Sequence, residues 1–404
     1  MKRAREWLQC LVCSAHYDLS PLWSGCPACL DQGKSSALEV RYDYASVTDF
    51  GPDEGAAGIW RWHRLLPAMH RHHPVSLKEG ATPLCPVSCP AGLATIWLKN
   101  ESVNPTWSYK DRANSVNISV ARNLGFEKVA VVSTGNHGNA AAAYASAAGL
   151  RAAVLCHRDV SMLQASLMRL YGARVLRGGN RSAMLNRLIR SGSWFPCCVI
   201  GPLDGSSNPF GVEGLKTIAF EIFFQLGRRV PDRVFVPAGS GDGLYGIWKG
   251  FVELQKLGLC DRLPRMFACQ AEGAAAYVRS FSKGLRHVEP VENPQTIALS
   301  IAEEQGGRPA LLALYDSQGG ALACSDREII QSAGELARAG YALEPASAAA
   351  LACARKEPAS SSDENWVLIG TGAYAKWPET LNGQFETIPA LEPDFVQVEQ
   401  FLEL

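Results

Sequence analysis

A chain of 404 residues is long for one core, and a working size of about 150 residues per domain suggests two or three. Hydrophobic residues make up 47% and charged residues 19%, the balance of a chain that folds rather than stays disordered. Lys plus Arg (39) cancels Asp plus Glu (39), which disfavours nucleic acid as a partner, and no apolar run reaches the roughly 18 residues of a membrane helix.

The N-terminus, MKRAREWLQC, has basic residues but no apolar stretch behind them, so no secretory signal is read and a cytoplasmic location is expected. Thirteen cysteines without an export signal point to a reducing compartment, with metal ligands or buried thiols rather than a disulfide framework. Four stand apart: Cys10-x-x-Cys13, then twelve residues, then Cys26-x-x-Cys29. Paired CxxC turns present four thiolates that close tetrahedrally on zinc, and residues 1–36 are read as a zinc-ribbon-like module. Four unrelated cysteines is the alternative. Residues 37–100 read as irregular, and His70, His72 and His73 as a solvated loop, because no carboxylate or cysteine sits at ligand spacing beside them. Cys85, Cys89, Cys197 and Cys198 read as core or surface thiols.

From about residue 110 the pattern becomes regular. A helix is predicted over 111–124, a strand over 129–132, a small-residue helix over 136–148, a strand over 152–155, a helix over 161–171, a strand over 173–176 and a helix over 182–191. After a break near 195–210, helices are predicted over 213–226 and 243–257, with strands over 233–236 and 267–271. Helices over 326–339 and 346–354, a polar linker over 356–365 and a strand over 366–369 complete the reading. Short apolar strands alternating with helices give βαβ units and parallel sheets, an α/β fold.

Three polar or glycine-rich turns lie at strand–helix corners, where open α/β sheets bind ligands. They are the segment before Lys110, the turn Ser133-Thr134-Gly135-Asn136-His137-Gly138, and the turn Gly239-Ser240-Gly241-Asp242-Gly243. The third suits a phosphate, since glycines let backbone N–H groups converge and the next helix adds its positive end. Asp242 would repel that phosphate unless it points away or bonds locally.

KNESVNPTWSYKDR (99–112), STGNHGNAAAAYA (133–145) and VPAGSGDGLYGIWKGF (236–251) resemble the lysine segment, asparagine loop and phosphate loop of threonine synthases, within the fold-type II pyridoxal phosphate enzymes (the tryptophan synthase beta superfamily). Weaker echoes are ATPL (81–84), NPFGVEGLKTIAFEI (208–222), EPASAAALA (344–352) and GTG (370–372). The resemblance implies two parallel-sheet α/β domains, a smaller one over 109–205 and a larger cofactor domain over 37–108 and 206–395. It implies that Lys110 carries pyridoxal 5'-phosphate as a Schiff base and then takes the substrate α-proton. Asn136 would bond the cofactor's ring oxygen, Gly239, Ser240, Gly241, Asp242 and Gly243 would hold its phosphate, and Thr371 would face its pyridine nitrogen. Ser133, Thr134, Asn136 and His137 would grip the substrate carboxylate.

The substrate is less plain. Threonine synthases act on O-phosphohomoserine, and their segment matching 204–214 resembles NSxNPYRxEG, with Asn, Ser and Arg on the phosphate. Here Ser206 remains, but Gly205 and Gly211 replace the Asn and Arg; Lys216, Arg112 or Arg158 could compensate. His137 stands where threonine synthases carry Thr, as in deaminating dehydratases, and offers a proton shuttle near neutral pH. The expected activity is a lyase that eliminates, or replaces, a side-chain group of an amino acid. Two enzyme alternatives stand beside it: a true threonine synthase making threonine from O-phosphohomoserine, and a serine-, threonine- or diaminopropionate-type deaminating lyase. A non-catalytic binding relative is the third, against which Lys110 argues. The protein is expected to be a monomer or homodimer, and removal of the zinc to destabilise the cysteine module while leaving most cofactor binding intact.

Overall fold

The computed structural model describes residues 4–87, 95–133, 135–197, 208–361 and 363–381. Thr134, Gly205, Ser206, Cys89 and Cys198 lie outside them. Strands β1 (Glu6–Cys10), β2 (His16–Tyr17) and β3 (Leu38–Tyr42) form an antiparallel sheet in the order β2-β1-β3. The third strand thus comes from the stretch read as irregular.

Strands β4 (Leu84–Val87) and β5 (Thr95–Asn100) follow. Next come β6 (Lys128–Val132), β7 (Arg151–Cys156), β8 (Arg174–Arg177) and β9 (Phe195–Pro196). The last are β10 (Arg233–Pro237), β11 (Arg265–Ala271), β12 (Gly320–Cys324) and β13 (Asn365–Gly370). Among the described residues they make two sheets: a parallel one, β8-β7-β6-β9, and a six-stranded one, β12-β11-β10-β13-β5-β4. In the larger sheet only the β4–β5 pair is antiparallel. Pro86 cannot donate to a ladder, and β4 is an edge strand, where that costs nothing. This is an α/β fold of βαβ units, as the alternation predicted.

The Pro209–Gln225 helix is buried on nearly every side, including its charged residues. It lies so close to the Lys110–Asn123 helix that a Cβ at Gly214 would stand 2.0 Å from the Arg112 carbonyl oxygen. Only glycine permits that crossing, which sets the helix that begins at Lys110 against the core. Two ion clusters are buried at its flanks. Arg112 binds Glu101 and Glu221, and Lys99 binds Glu221 at 2.7 Å. Lys216 binds Glu213 and Glu253, and Lys249 binds Glu213. The second cluster also ties down the small sheet, because Tyr42 donates to Glu213 at 2.7 Å and Lys249 donates to the Val40 carbonyl at 2.6 Å. Among the described residues no helix is long and apolar enough to cross a membrane.

Candidate active site

The three corners meet at one place. The Thr106 backbone N–H donates to Asp111 at 2.7 Å, closing the segment before Lys110 into a compact turn. The buried Lys376 ammonium donates to the Thr106 carbonyl at 2.7 Å. That turn is strapped to the end of β13: Tyr109 N donates to Thr371 O at 3.0 Å, and Ala373 N to Trp107 O at 3.0 Å. Lys110 is therefore the first residue of its helix, held beside Thr371 by backbone bonds and not by side-chain packing alone. Its Nζ lies 4.9 Å from the Tyr109 ring centroid. Burial works against the Lys110 charge, but Tyr109 and Asp242 outweigh it, and the net direction is upward.

The glycine turn between β10 and the Asp242–Lys256 helix lies against the same tyrosine. A Cβ at Gly243 would be 2.6 Å from Tyr109 Cε2, and one at Gly241, whose φ is +90°, 2.0 Å from the Tyr277 hydroxyl. The turn's side-chain directions are filled by protein, so its backbone is what remains to meet a ligand. The Ser240 carbonyl accepts from Tyr277 at 2.7 Å and from Gly307 N at 2.8 Å, which fixes the turn's path. Ser240 Oγ donates to Asp242 at 3.3 Å, the local bond expected of that carboxylate. First-turn N–H groups of a helix lack intrahelical acceptors and suit an anion.

Asn136 opens the Asn136–Ala147 helix, and its Nδ2 donates to Glu344 Oε2 at 2.8 Å. Its Oδ1 is buried with no partner among the described residues. Ser133 Oγ accepts from Gly135 N at 3.2 Å and Gly138 N at 3.0 Å, so this hydroxyl shapes the turn as well as facing it. His137 hydrogen-bonds the backbone of Cys197, while its Nε2 is buried and unpartnered among the described residues. Burial, with Lys110 nearby, holds the His137 pKa down to about 3. It is a neutral acceptor and not the proton shuttle near neutral pH that its type suggested.

Glu344 was not singled out by its sequence. It precedes the Pro345–Ala354 helix, is 1% exposed, and accepts from Thr371 Oγ1 at 2.8 Å as well as from Asn136. A glutamate before a proline-led helix reads as a solvated charge; only the EPASAAALA echo marked its neighbourhood.

The phosphate substitutes fare differently. Arg112 directs Nε, Nη1 and Nη2 to Glu101, Glu221, Thr217 and Thr82, and Lys216 directs Nζ to Glu213 and Glu253. Both are structural, so neither compensates for the arginine absent at Gly211; Arg158 is exposed. Gly211 is buried, and a Cβ there would stand 3.0 Å from Asn117 Nδ2.

The Sγ atoms of Cys10, Cys13, Cys26 and Cys29 lie within 4.8 Å of one another, with Cys13–Cys26 at 3.5 Å and Cys10–Cys29 at 3.7 Å. Zinc–sulfur bonds of about 2.3 Å at tetrahedral angles place sulfurs roughly 3.8 Å apart. Val12 N and Cys13 N point at Cys10 Sγ at 3.3 and 3.4 Å. The histidine cluster is exposed, as expected. A narrow cleft separates the module from the glycine turn, lined by Leu11, Leu38 and Glu39 on one side and Ser240, Asp242 and Tyr245 on the other. Tyr245 donates to Glu39 at 2.8 Å across it. The module therefore walls the turn instead of standing apart.

The family model described as pyridoxal-phosphate dependent enzyme matches residues 75–372. Threonine synthase of Methanocaldococcus jannaschii is 36% identical over 389 residues, covering 92% of this chain and 93% of that protein. Threonine synthase of Mycobacterium bovis is 36% identical over 354 residues, covering 84% and 94%. Among solved structures, an L-serine ammonia-lyase from Rhizomucor miehei superposes with a TM-score of 0.63 at 20% identity, covering 76% of this chain and 99% of that one. Maize serine racemase gives 0.62 at 18% identity, covering 80% and 91%; these two likenesses speak to fold alone. A matched model over most of the chain, and relatives this similar along nearly its whole length, place the chain in the fold-type II pyridoxal-phosphate-dependent enzyme family, among its threonine synthase-like members.

Proposed function

We propose that this enzyme is a lyase that eliminates, or replaces, a side-chain group of an unphosphorylated amino acid, using Lys110. The observation that carries the reading is the convergence of Lys110, Asn136, Thr371 and the turn at Gly239, Ser240, Gly241, Asp242 and Gly243 around Tyr109 and Glu344. The residues fit pyridoxal phosphate: a lysine at a helix start, a backbone turn for an anion, and a buried Asn136 oxygen without a partner.

When bound, the cofactor supplies an electron sink for the pair left at the amino-acid Cα. Every other task falls to the chain. Lys110 Nζ holds the cofactor and, once released, is the base for the Cα proton. The glycine turn binds the phosphate through backbone N–H groups. Asn136 and Thr371 would hold and orient the cofactor's ring. Ser133, Thr134 and the start of the Asn136–Ala147 helix receive the substrate carboxylate. A neutral His137 cannot donate through Nε2 while its other nitrogen serves the Cys197 carbonyl, so it suits a hydroxyl or amine donor better than a phosphate.

A second reading, a true threonine synthase, is favoured by the 36% identity over 92% of the chain. A phosphate monoester would need a charged partner, and a bidentate arginine contact is worth about 1.5–3 kcal/mol. With Gly211 in the arginine position and Arg112 and Lys216 committed elsewhere, O-phosphohomoserine is expected to turn over poorly. The test is kcat/KM for O-phosphohomoserine against serine, threonine, diaminopropionate and O-acylated amino acids. A tenfold or greater preference for O-phosphohomoserine would make the second reading the right one.

The four cysteines are proposed to hold one structural zinc in a ribbon-like module, on the support of their sulfur spacing.

A further inference from the structure

Glu303 stands against the glycine turn. It follows the short Leu299–Ile301 turn, and its N–H donates to the Ile301 carbonyl at 2.9 Å. The segment is strapped on both sides: Val291 N donates to Glu304 O at 2.7 Å, and Gly307 N to Ser240 O at 2.8 Å. A Cβ at Gly239 would lie 2.8 Å from Glu303 Cγ and 3.3 Å from Ile301 Cα, so the glycine at the head of the turn makes room for this side chain. The Glu303 carboxylate is exposed and makes no hydrogen bond or ion pair among the described residues.

Its charge is felt at the lysine: Tyr109, Asp242 and Glu303 all raise the Lys110 pKa. The surrounding protein strips enough water from Glu303 to raise its own pKa, while Lys110 and Arg181 pull it down and Asp242 and Glu304 push it up. Arg181 makes no ion pair with it among the described residues. Two other atoms at this corner without a partner there are acceptors as well: Asn136 Oδ1, and His137 Nε2, whose ring also feels the Lys110 charge. The cations that a phosphorylated side chain would need are elsewhere. Arg112 and Lys216 serve buried carboxylates, and the arginine position is Gly211. The balance of free groups therefore favours a positive ligand.

From this arrangement we infer that Glu303 is a specificity-determining residue that receives an ammonium group on the substrate's side chain, so that the preferred substrate is a short diamino acid. The inference rests on the lyase proposed above and narrows its substrate class. A carboxylate left alone beside the phosphate turn is unfavourable once that turn is filled, because two anions then face each other. A substrate ammonium relieves this and gains a charge-assisted hydrogen bond. The same group needs no acid in order to leave. When Lys110 takes the Cα proton and the Cβ–N bond breaks, the pair at Cα closes the Cα–Cβ double bond. The bonding pair of the broken bond stays on nitrogen, and the ammonium departs as ammonia with its own three hydrogens. A hydroxyl needs an added proton to leave as water, and His137, neutral with Nε2 an acceptor, does not supply one.

The experiment is titration calorimetry on the cofactor-loaded Lys110→Ala protein, which lacks the base for turnover, with 2,3-diaminopropionate and serine as probes. The two differ at one position, an ammonium against a hydroxyl. The expected result is diaminopropionate bound roughly ten- to a hundredfold more tightly, the scale of one hydrogen bond to a charged group. Adding Glu303→Gln should erase most of that preference by weakening diaminopropionate alone, with serine affinity unchanged. In wild type, kcat/KM should show the same order, and that ratio decides if Lys110→Ala does not hold the cofactor. Equal affinities in protein that keeps Glu303 overturn the inference, so a misfolded Glu303 variant leaves it decidable. A preference that survives Glu303→Gln in folded, loaded protein overturns it too. A loaded protein that binds neither amino acid would instead sink the lyase reading beneath it.

Discussion

Replacing Arg112 with methionine removes the cation that holds two carboxylates out of water. The guanidinium meets Glu101 and Glu221 at 2.7–2.8 Å, Thr217 at 2.9 Å and Thr82 at 3.1 Å, and is fully buried. In the variant Lys99 still pairs with Glu221 at 2.7 Å, but Glu101 keeps only neutral donors, Thr82 at 2.6 Å and Asn104 at 2.8 Å. Deleting one partner of a buried pair costs about 3–5 kcal/mol, because the remaining charge is stranded. The cluster lies two residues beyond Lys110 on the same helix, so the loss should loosen the helix start as well as the core. Urea unfolding of the holoenzyme should show a clear fall in midpoint for Arg112→Met. Arg112→Lys should fall too, since an ammonium cannot reach four partners in one plane. Where both variants remain folded, KM should move in parallel for phosphorylated and unphosphorylated substrates. Normal stability with a selective loss on O-phosphohomoserine would refute the reasoning and make Arg112 a substrate ligand.

Further outcomes are expected elsewhere. One equivalent of zinc should be found by elemental analysis of unchelated protein, and chelation should loosen cofactor retention as well as the module, since Leu11 and Glu39 wall the glycine turn; a Cys10–Cys29 disulfide in the native protein would contradict this. Because the folded His137 pKa is about 3 and the unfolded value about 6.5, the unfolded chain binds the extra proton between them, and stability falls as pH drops through that window. Near pH 4 the His137 contribution to that loss is about 3 kcal/mol, and His137→Gln should remove it in paired unfolding titrations. Gly211→Arg should improve O-phosphohomoserine turnover at some cost in stability, because its Cβ meets Asn117 at 3.0 Å; unchanged specificity in a folded variant would place the phosphate elsewhere.

The helices and strands over 110–190 were legible to within a residue or two because each buries its own apolar face, and the alternation of periods is written locally. Strand β5 was not, because Lys99 and Asn100 look like a loop until Lys99 meets Glu221, a partner 122 residues away. Strands β3 and β12 are short and gain their identity from neighbours, β1 and β11 respectively. At the site, Lys110, Asn136 and the glycine turn were readable because their chemistry needs those residue types at strand–helix corners. The roles of Glu344 and of the neutral His137 were not, since both depend on burial and on partners such as Thr371 and Cys197 that share no local pattern with them. Arg112 shows the reverse error. A basic residue beside the lysine segment suggested a phosphate ligand, and only its buried carboxylate partners reveal a structural role.

The central claim is that Lys110 carries the cofactor. The most direct measurement is borohydride reduction of the purified, cofactor-loaded protein followed by peptide mass mapping. The account predicts a yellow protein whose colour bleaches on reduction, with the pyridoxyl mass addition on the peptide containing Lys110 and none in Lys110→Ala. An active, colourless wild type, or a reduced adduct on another lysine with Lys110 unmodified, would contradict it.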